Sequence, residues 1–253
     1  MTLDVANVGV RFGGLWANRD ISFSIPKGSI SAVIGPNGAG KTTLFNVISG
    51  FQVPTQGEVR LDGEVISGLP AEKVASRGIG RTFQIPEISH DLTVLENVLV
   101  GAHRHIGGGL LGQVLGLGTA ATTEREARRR AEEELVRAGL ADQIRQLAKG
   151  LPLGKVRLLE IVRALSSRPN LLLLDESASG LNSREVEGLA DLIRKLPERG
   201  ITVVLIEHNV RFVMKLAERI AVLDHGQLLS VGTPEEIRND ERVITAYLGR
   251  RSH

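Results

Sequence analysis

Residues 31–43 read SAVIGPNGAGKTT, and this stretch decides the fold. The run from Ser31 to Ile34 is short, β-branched and apolar, which predicts a buried strand. The segment 35–42 then follows the pattern G-x-x-x-x-G-K-[ST], and the apolar residues after Lys41 take helical spacing. Strand, glycine-rich loop and helix therefore follow one another in the order that a phosphate-binding loop requires.

The residue types of this loop suit a triphosphate. Glycines let the backbone curl so that successive N–H groups point at phosphate oxygens, and the N-terminus of the next helix adds to the anion site. Lys41 is expected to reach the β- and γ-phosphates, and the Thr42 hydroxyl to bind Mg²⁺. The alternative is a glycine-rich turn that only caps a helix. Because all parts are in register, the sequence predicts binding of a nucleoside triphosphate.

Composition narrows the class of protein. The 253 residues suffice for one large domain, or one domain with a lobe. Lys and Arg number 31 against 29 Asp and Glu, which argues against nucleic acid as the main partner. The absence of cysteine excludes disulfides and thiol chemistry and fits a reducing cytoplasm. We expect no signal peptide at the N-terminus, MTLDVANVGV, because it lacks a basic start and a long apolar core.

The stretch 106–123, IGGGLLGQVLGLGTAATT, is uncharged and raises the question of a membrane span. It is rich in glycine and interrupted by Gln113, so it would pack poorly as a helix in lipid. We expect a flexible loop with a short apolar helix. Any association with a membrane is expected to come through a partner.

A second chemical centre follows the apolar run LLLL at 171–174, which is typical of a fully buried parallel strand. We expect this strand beside the strand of the phosphate loop. Asp175 would then hold Mg²⁺ through water, and Glu176 would accept a proton from an attacking water. The alternative for Glu176 is a residue that merely enters a helix.

Three further side chains are candidates for this site. Gln84, at the end of a strand expected over 79–83, could orient the water, and His208 could donate to the γ-phosphate. Phe12, beside a turn, is a candidate for stacking on adenine, whereas Trp16 fits ordinary sheet packing better. Each would be an ordinary residue if it stood alone, so their order and spacing carry the hypothesis.

The remaining patterns predict an α/β protein. Residues 3–10 and about 19–25 alternate as antiparallel strands do, and hairpins are expected at 62–63 and 225–226. From 171 onward, strands alternate with helices, as in a doubly wound core. The charged segment 123–138 predicts a solvated helix stabilised by ion pairs rather than a nucleic-acid patch.

The ordered motifs resemble those of ABC transporter ATPases over essentially the whole chain. In chain order the A-loop, Walker A, Q-loop, signature, Walker B, D-loop and H-loop correspond to Phe12, GPNGAGKT at 35–42, Gln84, LPLGK at 151–155, LLLLDE at 171–176, SGLN at 179–182 and His208. Details such as RFGGLWA and LIEHN are similar to the branch that takes up branched-chain amino acids.

The resemblance implies a single domain, 1–253, with a P-loop NTPase (RecA-like) core, an antiparallel β subdomain and an α-helical subdomain over about 85–168. It implies ATP and Mg²⁺ as cofactors, with Glu176, His208 and Gln84 as catalytic residues. The implied metal ligands are Thr42, Gln84 and Asp175. The implied ATP-binding residues are Phe12, Gly35, Pro36, Asn37, Gly38, Ala39, Gly40, Lys41, Thr42 and Thr43.

The same resemblance implies partners. ATP would lie between one chain's Walker A and the other chain's signature, which here is Leu151, Pro152, Leu153, Gly154 and Lys155. A second, related ATPase is expected, which makes a heterodimer, with a homodimer as the alternative. Two membrane permeases would dock near Gln84–Leu92, where Ile85 and Ile88 are expected to be exposed. A substrate-binding protein would take part indirectly, and the chain would lie on the cytoplasmic face of the cell membrane.

Two departures from the family pattern leave room for a different function. Pro152 replaces a serine of the usual signature, which removes a hydroxyl and an N–H and suggests a weakly hydrolysing regulatory subunit. Asn182 replaces the D-loop aspartate and could loosen communication between the two sites. The sequence is also compatible with the ATPase of a urea, amide or lipid transporter. A soluble ABC ATPase that acts on DNA or ribosomes is the remaining alternative, but the chain has no long coiled coil between Walker A and the signature and only one ATPase half.

Overall fold

The computed structural model describes residues 2–102 and 119–248. The strands are β1 (Leu3–Phe12), β2 (Leu15–Ile25), β3 (Ile30–Ile34), β4 (Gln56–Leu61), β5 (Glu64–Val65), β6 (Ile79–Arg81), β7 (Leu171–Asp175), β8 (Thr202–Ile206), β9 (Arg219–Asp224) and β10 (Gln227–Gly232). The helices are α1 (Lys41–Ile48), α2 (Ala71–Ser76), α3 (Val94–Ala102), α4 (Thr119–Arg137), α5 (Leu153–Ser166), α6 (Ser183–Arg194), α7 (Val210–Leu216), α8 (Pro234–Asn239) and α9 (Glu241–Leu248).

A six-stranded sheet has the order β10-β9-β3-β8-β7-β6. The strands from β9 to β6 are parallel, and β10 pairs antiparallel at one edge. Every residue of β3, β7 and β8 is buried, as their continuous apolar sequences predict. The predicted doubly wound core is confirmed. The expectation that β7 lies beside β3 is wrong, because β8 pairs with both strands and separates them.

A second, antiparallel sheet has the order β2-β1-β4-β5. Its predicted hairpin turns at Asp62 and Gly63, whose φ angles of 51° and 83° suit a two-residue turn of the primed type. Side chains of both sheets and of α1 form one buried cluster, which contains the fully buried Phe45. The phosphate-loop helix is therefore held in the main core of the protein.

The chain divides into two compact units. The first unit comprises Met1–Arg81, Asn170–Ser179 and Ile193–His253 and contains both sheets. The second comprises Thr82–Pro169 and Gly180–Leu192, where α3, α4 and α5 pack together. In the second unit α3 begins with a capping box, since Thr93 N–H donates to Glu96 and Glu96 N–H donates to the Thr93 hydroxyl.

Helix α4 carries the predicted ion pairs at i,i+4 spacing, between Arg128 and Glu132, Arg129 and Glu133, and Glu126 and Arg130. It begins at Thr119, so the helix predicted from residue 123 starts four residues earlier, within the stretch expected to be a loop with a short helix. The rest of that expectation, at 106–118, lies outside the described residues. Across 2–102 and 119–248, none of the helices combines the length and apolar character needed to cross a membrane.

Candidate functional site

The phosphate loop lies between the buried strand β3 and the first residue of α1. Its lysine folds back onto the loop, because Lys41 Nζ donates to the carbonyl oxygens of Gly35 at 2.8 Å and Pro36 at 2.9 Å. Burial lowers the pKa of Lys41, and the nearby carboxylates of Glu176 and Asp175 partly offset this effect. The lysine is thus a buried cation between the loop and two carboxylates.

Gly40 precedes α1 with a φ of +93°, which favours glycine. A Cβ at this position would lie 2.3 Å from Asn18 Nδ2 and 2.4 Å from the Ala17 carbonyl oxygen. Asn18, which is fully buried in β2, donates to the Gly40 carbonyl at 3.1 Å. The antiparallel sheet therefore supports the phosphate loop. The sequence patterns did not reveal Asn18, because the second strand was predicted to begin at about residue 19 whereas β2 begins at Leu15.

Asp175 and Glu176 stand at the carboxyl end of β7. Burial raises the pKa of Asp175, and the Arg81 guanidinium opposes that rise. Glu176 adopts a φ of +50°, which is uncommon for a side chain of its size, and its N–H donates to the Ile206 carbonyl at 2.8 Å. This backbone conformation turns the chain away from the strand immediately after the two carboxylates.

His208 follows β8, which is the neighbour of β7. Its Nε2 is hydrogen-bonded to Glu176 Oε1. From the sequence, His208 was expected to donate to a γ-phosphate, and its contact with Glu176 was not predicted. Because parallel strands end at one edge of a sheet, β7 and β8 bring the acid and the imidazole together.

Arg81 is a second residue of this site that the sequence patterns did not reveal. It ends β6, and its Nη2 donates to Asp175 Oδ2 at 3.1 Å. The signal in the sequence was a charged residue at the end of a short strand, IGR, in the parallel sheet. The predicted strand 79–83 is correspondingly too long, since it ends at Arg81 and Gln84 follows three residues later.

Gln84 and the signature belong to the second unit. Gln84 is exposed, whereas the main chain of Phe83 before it is bonded to Glu160 and Arg157. Pro152 is the N-cap of α5, where no N–H donor is needed, so the proline is structurally tolerated. A Cβ on Gly154 would lie 2.4 Å from Glu185 Oε1, the far end of a flexible side chain that would have to move.

Asn182 has a structural role that its departure from the family pattern did not reveal. Its Oδ1 accepts from the N–H groups of Arg184 at 3.0 Å and Glu185 at 3.1 Å, at the start of α6. Its own N–H donates to Glu185 Oε2 at 2.9 Å. An asparagine therefore caps this helix as an aspartate would.

The residues predicted to offer accessible apolar side chains differ in how much of their surface is exposed. Phe12 ends β1 with 53% of its surface exposed, so its ring is accessible. Ile85 is 80% exposed, but the expected exposure of Ile88 is wrong, since only 9% of its surface is accessible. Trp16 faces the Arg11 guanidinium at 5.8 Å from the ring centre.

Tyr247 connects the last described helix to the phosphate loop. Its hydroxyl lies near the main chain of Gly35, and burial raises the pKa of this hydroxyl to about 12. The sequence patterns indicated no role for this tyrosine. The only signal was the single tyrosine of the chain.

The oxygen donors present suit Mg²⁺. Within 2–102 and 119–248, no group of three or more His, Cys, Asp or Glu side chains could hold a metal ion by itself. Mg²⁺ is usually held by one or two protein oxygens together with substrate phosphates, because it keeps much of its own hydration. The Asp175 carboxylate and the Thr42 hydroxyl, which is exposed at the start of α1, fit this pattern. Together the fold and the site define a P-loop nucleotide-binding protein.

Comparisons with known proteins narrow that class. The family model described as "ABC transporter" matches residues 18–179, and that of the "Branched-chain amino acid ATP-binding cassette transporter" matches residues 227–253. The chain therefore belongs to the ABC transporter ATPases, in the branch of the branched-chain amino acid cassettes. The second match places a family-specific segment in the region of β10, α8 and α9.

Full-length relatives agree with this assignment. The high-affinity branched-chain amino acid transport ATP-binding protein BraF of Pseudomonas aeruginosa is 43% identical over 98% of this chain and 97% of BraF. The corresponding protein LivG of Escherichia coli is 41% identical over 98% and 97%. The lipopolysaccharide export ATP-binding protein LptB of Haemophilus influenzae is 36% identical over 92% and 90%.

Solved structures share the fold. An ATP-binding cassette of an ABC transporter in its ADP conformation has a TM-score of 0.86 at 30% identity, covering 98% of this chain and 99% of that one. A dimeric bacterial ABC transporter cassette has a TM-score of 0.78 at 28% identity, covering 92% and 98%. The predicted fold class is confirmed.

Proposed function

We propose that this chain is the ATP-hydrolysing subunit of an importer for branched-chain or related amino acids. The observation that carries the proposal is a cluster of four side chains near the carboxyl ends of the parallel strands, namely Lys41, Asp175, Glu176 and His208. The chain also matches the family model of the branched-chain amino acid cassettes. Such a constellation supplies phosphate binding, metal binding and a general base. The names of BraF and LivG supply the class of cargo.

The N–H groups of the phosphate loop and Lys41 would bind the triphosphate, and Phe12 would stack on the adenine. Thr42, Asp175 and Gln84 would hold Mg²⁺, which when bound neutralises developing charge on the phosphates. The proposed ATP-binding residues are Phe12, Gly35, Pro36, Asn37, Gly38, Ala39, Gly40, Lys41, Thr42 and Thr43.

Glu176 is the proposed general base. Its side chain is only 12% exposed and is held by His208, so the carboxylate has a fixed direction from which to accept a proton from water. His208, with 44% of its side chain exposed, remains accessible to a phosphate. We assign Gln84 the role of orienting the same water, as the resemblance to the family implies.

The proposed assembly contains a second ATPase, most simply a related chain in a heterodimer. The signature, Leu151 to Lys155, would serve the nucleotide of that partner. A dimeric cassette among the similar solved structures supports pairing. Two permeases would dock on Gln84–Leu92, where Ile85 offers an exposed apolar side chain. The chain would then lie on the cytoplasmic face of the cell membrane, reach a substrate-binding protein only indirectly, and use no nucleic acid.

Lipid export is the second candidate, because LptB is also similar over most of its length. The match of residues 227–253 to the branched-chain amino acid model favours the importer. The regulatory function suggested by Pro152 predicts ATP binding with little hydrolysis. The chain retains Lys41, Asp175, Glu176 and His208, which supports hydrolysis instead.

The chemistry is tested by Glu176→Gln in the chain assembled with its partner ATPase. Removal of the base should lower ATP turnover by about 100-fold or more, while ATP binding persists. Glu198→Gln, at an exposed position, is the matched control and should leave turnover unchanged. Unchanged turnover in Glu176→Gln would contradict the assignment of the base.

The biological role is tested by gentle affinity purification from native membranes. Recovery of two permeases, a second ATPase and a substrate-binding protein is expected, and the ligand of that binding protein would identify the cargo. Recovery with proteins of lipid export would favour the second candidate. Recovery only in the soluble fraction, with ribosomes or DNA-repair proteins, would contradict a role in transport.

A further inference from the structure

Arg81 contacts two elements that carry proposed metal ligands. On one side, its Nη2 donates to Asp175 Oδ2 at 3.1 Å, at the end of β7. On the other side, its Nη1 donates to Asn46 Oδ1 at 2.8 Å and to Ser49 Oγ at 2.7 Å, both associated with α1. Since α1 begins with Lys41 and Thr42, one guanidinium connects the phosphate-loop helix with the acidic strand end.

The guanidinium is itself held in place. The side chains of Arg81 and Asp175 are only 7% and 3% exposed. The Arg81 carbon Cζ also lies 5.9 Å from the ring centre of Phe45 and 5.6 Å from that of Phe51. A planar group with a fixed fork of donors, packed between rings, defines the direction of the carboxylate it binds.

We propose that Arg81 is a positioning residue of the nucleotide site, which sets the Asp175 carboxylate relative to the start of α1 so that Mg·ATP can bind. The inference rests on the proposed function, in which Asp175 and Thr42 hold Mg²⁺. Mg²⁺ demands a near-ideal arrangement of its ligands, so a small error in the relative position of two ligands weakens it. Arg81 makes no contact with ATP in this role and acts only through its partners.

The test compares nucleotide binding with and without metal. A fluorescent ATP analogue is titrated into the full chain in Mg²⁺ and, separately, in excess chelator. For Arg81→Met we expect the affinity for the Mg²⁺ complex to fall about 10- to 100-fold, as is usual when a group that orients a metal ligand is lost. The affinity for the metal-free analogue should change little, because the loop N–H groups and Lys41 remain.

Two further variants sharpen the result. Arg81→Lys keeps a positive charge but lacks the forked donors, so its affinity for the Mg²⁺ complex should also fall. This variant provides the test if Arg81→Met does not fold. Arg77→Met is the matched control, because Arg77 pairs with Glu64 at the surface, with 44% and 70% of the side chains exposed. This control should bind both forms of the analogue like the unaltered chain.

Each outcome has a distinct meaning. Equal losses with and without metal in the Arg81 variants would show a merely structural role and overturn the inference. An affinity for the Mg²⁺ complex that is unchanged or increased would overturn it as well. If metal makes no difference to binding by the unaltered chain, and Asp175→Asn binds the analogue equally well, it is instead the proposed metal site that fails.

Discussion

Both units contain a buried arginine–carboxylate pair, and the two pairs have different surroundings. In the first unit Arg81 and Asp175 lie 3.1 Å apart, with 7% and 3% of their side chains exposed. In the second unit Arg157 and Glu160 lie 3.6 Å apart on α5, with 7% and 6% exposed. Burial and chemistry are thus nearly the same in both.

The two pairs differ in the groups to which they are bonded. Glu160 Oε1 accepts from the Phe83 N–H at 2.8 Å, and Arg157 Nη1 donates to the Phe83 carbonyl at 3.3 Å, so this pair fixes main chain. Arg81 and Asp175 instead join side chains of separate elements at the site. A buried ion pair therefore shows that its surroundings are held in a fixed geometry. The groups bonded to the pair show whether it fixes the main chain or a functional carboxylate.

Loss of the pair in the second unit should have the largest effect on stability. Glu160→Ala leaves the buried Arg157 without its carboxylate and the Phe83 N–H without an acceptor. We expect the free energy of unfolding to fall by about 3–5 kcal/mol, measured by urea denaturation at pH 7. Glu132→Ala, which breaks an exposed pair with Arg128, is the control and should cost less than about 0.5 kcal/mol. Similar losses in both variants would contradict the distinction.

In the first unit, the backbone of the phosphate loop depends on a glycine rather than on an ion pair. Gly40→Ala would force Cβ towards Asn18 and impose a φ of +93° on alanine. The strain should cost about 2–3 kcal/mol. If this strain distorts the phosphate loop, ATP affinity measured by nucleotide titration should fall roughly 30- to 150-fold. Gly28→Ala carries similar strain, with a φ of +66° and no neighbour within 4 Å of Cβ, and should leave ATP affinity intact. Intact affinity in Gly40→Ala would refute this explanation.

A smaller, pH-dependent effect separates charge from hydrogen bonding at Glu160. Burial raises the pKa of Glu160 above its ordinary value of 4.5, so the folded chain holds this proton more strongly than the unfolded chain. The stabilisation from Glu160 is therefore complete below pH 4.5 and is lost as the pH rises through the raised pKa. Relative to Glu160→Gln, the unaltered chain should lose stability between pH 4.5 and 7, measured by urea denaturation. The opposite trend would show that Arg157 outweighs burial.

The smallest expected effect concerns a neutral contact to the phosphate loop. Tyr247→Phe removes the hydroxyl that lies near the Gly35 main chain and should lower the free energy of unfolding by about 0.5–1.5 kcal/mol. Thr245→Ala is the control on the same helix, since its hydroxyl bonds only within the helix, to the Glu241 carbonyl. A loss in Thr245→Ala equal to that in Tyr247→Phe would show that the contact with the loop adds nothing beyond helix stability.

Much of the site could be predicted because its groups are adjacent in sequence or end a recognisable strand. The loop at 35–42 precedes its helix directly, and the buried run 171–174 leads into Asp175 and Glu176. The partners of these groups could not be predicted, since Arg81 is 94 residues from Asp175 and His208 is 32 from Glu176. Periodicity shows which face is buried but not which strand lies next to it.

The sequence by itself determined the phosphate loop, the acidic strand end, the hairpins and the parallel core, because each depends on local backbone chemistry or on a continuous buried run. Only the tertiary structure decided that β8 separates β3 from β7, that Arg81 binds Asp175, and that Ile88 is buried. These facts depend on the order of strands and the packing of side chains far apart in the chain, which no short stretch of sequence specifies.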